Sequence, residues 1–115
     1  MLVTTTFAQV IGDRLNNQRI RDEFFGRNWH IQYSEGNQAF VRVTADGTAH
    51  LAWEGKDGNN LVDTGRYYAQ DDKLCAVWSH IRQGKPLCFV VYRTGSDLVT
   101  VSPDGTILAV NKPMP

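Results

Sequence analysis

The chain has 115 residues, with twelve Lys+Arg against twelve Asp+Glu and a formal net charge of zero. That length holds one domain, about 100–150 residues being typical, and the even charge excludes the basic footprint of a nucleic-acid binder or of a polybasic membrane-surface module. A hydrophobic fraction of 42% with 21% charged residues is that of a globular chain, and no apolar run approaches the ~20 residues of a membrane-spanning helix.

In chain order, Phe7, Val10, Ile11 and Leu15 recur at helical spacing and predict a helix over about residues 5–16. Thr5 or Thr6 caps its start and Asn16-Asn17 end it. From Arg19 to Gly26 the pattern is ambiguous; Ile20, Phe24 and Phe25 fit a short helical turn stopped by Gly26. The period then changes to two. Trp29, Ile31 and Tyr33 alternate with polar neighbours, as do Ala39, Val41 and Val43 in the next segment. Asp46-Gly47 supplies a tight turn into a strand with Leu51 and Trp53 inward. Strands follow over residues 61–70, 73–81, 86–92, 97–102 and 106–110, with Pro103-Asp104-Gly105 as a second Asp-Gly turn and residues 111–115 as a tail. Eight strand candidates over about residues 28–110, joined by short links, form an antiparallel meander. A meander of this length closes into a small barrel or a strongly curved sheet. The expected architecture is mainly β, a single domain over residues 1–115, with the N-terminal helix packed on two strands that are apolar on both faces.

Cys75 and Cys88 lie on two neighbouring strands of one hairpin. Paired residues of an antiparallel hairpin keep a constant index sum. If Cys75 faces Cys88, then Ser79 faces Gly84 and the loop is residues 80–83, a common length. Opposed residues have Cβ atoms about 4.5–5.5 Å apart, near what a disulfide requires. The alternative is a pair of buried free thiols, since cysteine is a common core residue.

No catalytic constellation is legible. The Ser79-His80 neighbours point to opposite faces of a strand, there is no nucleophile elbow, and Gly55-Lys56-Asp57-Gly58 lacks the phosphate-loop pattern. Asp63, Asp71 and Asp72 read as solvated turn carboxylates. His30, His50 and His80 lack local ligand spacing, so neither a metal site nor a cofactor is expected. The aromatics say more. Trp29, Trp53 and Trp78, with Tyr33 and Tyr67, recur at inward positions. They either fill a core or line a pocket for an apolar or planar ligand. Arg66, beside Gly65 and the Tyr67-Tyr68 pair, is the best-placed of three strand arginines, with Arg42 and Arg93, to anchor a ligand carboxylate.

The order of Asp46-Gly47-Thr48, Gly65-Arg66-Tyr67, Leu74-Cys75-Ala76-Val77-Trp78 and Cys88-Phe89-Val90-Val91-Tyr92-Arg93, ending in Asp104-Gly105, resembles small exported proteobacterial proteins of unknown function, often described as lipocalin-like or small β-barrel domains. The resemblance covers residues 40–108. Tyr67 stands where Trp is commoner in that pattern, and residues 16–38 match it poorly. It implies export and a Cys75–Cys88 bridge, and no activity.

These readings converge on a non-catalytic exported binding domain that holds a small apolar or aromatic ligand through Trp29, Trp53, Tyr67, Trp78 and Arg66. The alternative is a protein-interaction module, an envelope factor or an enzyme inhibitor, that acts through Asn59, Asn60 and the loop from Arg82 to Lys85. The start of the chain carries no signal-peptide pattern. The expected location is periplasmic or secreted for a mature form, or cytoplasmic if the thiols are free.

Overall fold

A computed structural model describes residues 12–115. Eight antiparallel strands close into a barrel, with one helix and one further short strand outside the ring. In chain order these are β1 (Asp13–Arg14), α1 (Asn17–Phe24), β2 (Asn28–Tyr33), β3 (Gln38–Val43), β4 (Thr48–Glu54), β5 (Asn60–Gln70), β6 (Lys73–Trp78), β7 (Leu87–Thr94), β8 (Asp97–Val101) and β9 (Ile107–Met114). β2 through β9 pair consecutively, and β9 also pairs with β2 to close the ring. β1 pairs with Tyr92 and Arg93 of β7, beyond the three pairs that β7 makes with β6.

Residue chemistry sets the turns. At both Asp-Gly turns the aspartate carboxylate accepts from the backbone two residues on: Asp46 from Thr48 N at 3.1 Å and Asp104 from Thr106 N at 3.0 Å. Gly47 has φ +94°, and a Cβ there would lie 2.3 Å from the Tyr67 carbonyl, so both backbone conformation and space require glycine. Gly65 serves packing instead. A Cβ on it would sit 2.8 Å from the Trp78 ring, so its bare face lets Trp78 lie against β5. Alternation along each strand puts Ile31, Val41, Leu51, Leu74, Val91 and Leu98 in the main core. A second cluster, centred on Val99 and Val101, lies on the opposite face of β8.

The N-terminal reading needs correction. Most of the expected 5–16 helix lies outside the described residues, and its last part is not helical: Asp13 and Arg14 are strand. Asn16, read as a stop, is the N-cap of α1; its side chain accepts from Arg19 N at 2.9 Å, meeting one of the donors that a helix start leaves unpaired. α1 buries Ile20 and Phe24 against one end of the barrel. The supposed tail is also strand. Residues 107–114 run beside β2, with Asn111 opposite Ile31 and Pro113 opposite Trp29. Pairing with β8 stops at Asn111, so Pro113 sits where one edge is free and a missing N–H is tolerated.

Cys75 and Cys88 face each other and are joined by a disulfide. The index sum is the expected one, but the hairpin is not tight. Pairing ends at Ala76 and Leu87, and Ser79 N donates to Thr64 O of β5 at 2.9 Å instead of facing Gly84. The chain stays with β5 because Asp63 holds it there. Its Oδ2 accepts from both His80 N and Ile81 N at 2.9 Å. A turn then reverses the chain over Ile81–Gly84, with Arg82 and Gln83 both at positive φ.

Candidate functional site: the barrel interior

The two ends of the barrel differ. Turns β3–β4, β5–β6 and β7–β8 share one end with α1. There Asn17 N donates to Asp72 Oδ1 at 2.9 Å and Asp72 N donates back to Asn17 Oδ1 at 2.8 Å. Phe24, pushed inward by α1, stacks on Trp29 with centroids 5.3 Å apart and meets the Tyr67 ring edge-on at 4.7 Å. Trp29 Nε1 donates to the Phe24 carbonyl at 3.0 Å, so its indole both fills the core and satisfies a carbonyl at the end of the helix. This end is sealed.

The opposite end carries the turns β2–β3, β4–β5, β6–β7 and β8–β9. Below them lies an interior cavity of about 520 Å³, within the roughly 300–1,000 Å³ of small-molecule sites. Its floor is Phe24 and Tyr67, its walls include Trp53, Trp78 and Phe89, and its rim includes Glu35 and Arg82. Tyr33 packs on Trp53 with centroids 4.8 Å apart, and Tyr67 meets Trp78 edge-on at 5.6 Å. The lining is mainly apolar, with Thr100 and Asn111 as its buried polar residues. Burial, with the Glu35 charge adding, pushes the Tyr33 hydroxyl up to about 12. Burial, with Tyr33 beside it, raises Tyr67 as well. Both phenols are therefore neutral hydrogen-bonding groups at ordinary pH.

Trp53, Tyr67 and Trp78 line this cavity as their alternation predicted. Two expected residues do not. Trp29 is only 1% exposed and belongs to the sealed end. Arg66 is exposed on the outside, paired across the ladder with Thr48 and Val77; inward Gly65 and Tyr67 flank it, so alternation turns it out. Arg42 is likewise exposed, and Arg93 is committed to Glu23 of α1. Asn111 was missed because it lay in the presumed tail. Arg82 was read as part of a contact loop, yet it is the one cation among the described lining residues.

A shallower groove of about 610 Å³ crosses the outside of β3–β5 between Phe40, Arg42, His50, Val62 and His80. It has the sheet for a floor and no opposing wall. His30 stacks on Phe40 at 4.7 Å, with Nε2 facing Gln38 Oε1 at 2.7 Å. His80 Nδ1 faces Asp63 Oδ1 at 3.1 Å. Burial works against the Asp63 charge, but the N–H groups of Ile81 and His80, the His80 ring and Thr64 N hold its pKa down at about 2. Asp63 is thus the anchor of the β6–β7 loop. Among the described residues no group of three His, Cys, Asp or Glu is placed to hold a metal ion.

No family model, no curated protein and no solved structure matches the chain. No helix among the described residues is long and apolar enough to cross a membrane.

Proposed function

We propose that the protein is a non-catalytic exported binding domain that takes a small apolar or aromatic molecule into the barrel. The observation that carries this reading is the aromatic-walled cavity of about 520 Å³ beneath the turns of one end. A domain that used only its outer surface would gain by filling that space, since unfilled volume costs about 24 cal/mol per Å³ in engineered cores. The Cys75–Cys88 bridge supports export, because disulfides persist chiefly in oxidising compartments. The resemblance of the Asp-Gly, Leu-Cys and Cys-Phe segments to small exported lipocalin-like proteins points the same way.

The test is titration with the neutral apolar fluorophore N-phenyl-1-naphthylamine. The expected result is saturable one-to-one binding that quenches tryptophan emission. Absence of saturable binding to the oxidised protein overturns the reading.

One observation favours a second reading, a protein-interaction module. Next to Asn59 and Asn60, Leu61 is 43% exposed and Val62 79% exposed, and the Arg82–Lys85 segment lies at the same end of the barrel. On this reading Val62→Asp abolishes partner binding and leaves probe binding unchanged.

A further inference from the structure

The cavity wall is apolar except at a few points, and two of these are unusual. Tyr67 is 5% exposed and Asn111 3% exposed, and both line the cavity. The Asn111 amide nitrogen donates to Leu98 O at 2.8 Å. That bond fixes which end of the amide is which, and leaves the amide oxygen as an acceptor. Among the described residues the Tyr67 hydroxyl makes no hydrogen bond, and among them no side-chain polar atom sealed from solvent lacks a partner. The hydroxyl therefore reaches the cavity surface. An interior donor and an interior acceptor thus face the same space. Buried polar groups are ordinarily paired, and leaving one unmade is costly.

The charges are elsewhere. The only ionisable side chains among the described lining residues, besides the tyrosines, are Glu35 and Arg82, both exposed at the rim. A carboxylate carried to the level of Tyr67 and Asn111 would lose its water without gaining a counter-charge, and would meet the amide oxygen's lone pairs. An ammonium would be desolvated too, with no carboxylate to receive it.

From this placement we propose that the ligand is an apolar, ring-sized molecule bearing an uncharged hydroxyl, which enters polar end first and pairs with the Tyr67 hydroxyl and the Asn111 amide oxygen. A hydroxyl is a small neutral group that can accept from the Tyr67 hydroxyl and donate to the Asn111 amide oxygen at once. The proposal rests on the reading of the barrel interior as a binding site and adds the chemistry of what binds.

Equilibrium dialysis with three matched probes, naphthalene, 2-naphthol and 2-naphthoate, tests it on the oxidised full chain. The expected order puts 2-naphthol first, tighter than naphthalene by about tenfold, the worth of a good buried hydrogen bond. Tyr67→Phe and Asn111→Leu each shrink that advantage and leave naphthalene binding in place, and Arg82→Ala leaves it intact. Equal binding of naphthalene and 2-naphthol to the wild type overturns the proposal while the cavity reading stands. So does tightest binding of 2-naphthoate that is lost in Arg82→Ala, which would place the polar end at the rim. If none of the three binds, the cavity reading itself fails. Should either inner variant fail to fold, the wild-type ranking alone decides.

Discussion

The two ends of this barrel are built from the same strands and spend their residues differently. At the sealed end, α1 drives Phe24 between Trp29 and Tyr67, and paired side chain–backbone bonds between Asn17 and Asp72 tie helix to turn. At the open end the aromatics line space instead of filling it, and the β6–β7 loop hangs on one carboxylate, Asp63. The contrast teaches where stability and recognition are separable. Substitutions at the sealed end act first on folding, and substitutions around the cavity act first on what can enter.

The comparison is sharpest at Phe24. Truncation to Ala removes the plug and leaves a void, and should cost about 3–5 kcal/mol in urea denaturation. The side wall comes next. β6 and β7 share only three ladder pairs, with the disulfide at the middle one. The Cys75→Ala/Cys88→Ala variant should lose roughly 3 kcal/mol by the same measurement, the chain-entropy value for a loop of this size. A far smaller loss would mean that β1 and β8 already hold β7 in place.

Asp63→Ala leaves the N–H groups of His80, Ile81 and Thr64 without their acceptor and should cost about 1–3 kcal/mol. It also predicts a pH dependence. The folded-state pKa is about 2 against an ordinary 3.8, so the unfolded chain takes up the proton first. The contribution of Asp63 is present above pH 3.8 and is lost as pH falls through 2. Denaturation midpoints of wild type and Asp63→Ala should therefore converge across that window. Midpoints that stay equally far apart would assign the loop's anchoring to other groups. The smallest effect belongs to the rim. Arg82 makes no ion pair among the described residues, and Arg82→Ala should change stability by no more than about 0.5 kcal/mol.

Much of the fold was legible, for reasons visible in particular residues. Period-two alternation from Trp29 onward needs no tertiary knowledge, and the two Asp-Gly turns announce themselves because Gly47 and Gly105 take a φ of +94°. Index arithmetic makes the facing of Cys75 and Cys88 compatible with a short hairpin, and the structure keeps that pairing while lengthening the loop. What failed depended on context. Asn16 reads equally well as a helix stop or an N-cap, and only the burial of Ile20 and Phe24 beyond it decides. Residues 111–115 read as a tail because nothing local shows that β2 lies beside them. The site was legible in one dimension only. Alternation tells that Trp29 and Trp53 point inward, but their level along the barrel axis depends on the stagger of the whole ring. One therefore seals the floor and the other lines the cavity. The Tyr67–Asn111 pair was out of reach for the same reason, since nothing local relates β5 to β9.

The central claim is that the interior behind the open end, and not the outer face or the sealed end, is where a small molecule binds. Backbone amide chemical shifts of the ¹⁵N-labelled protein, recorded as naphthalene is added, test it most directly. The account predicts saturable shifts gathered at Trp53, Tyr67, Trp78 and Phe89, with the first turn of α1 and the outer residues Phe40 and Val62 unmoved. Shifts confined to Phe40, Ala52 and Val62 on the outside of the barrel would contradict it.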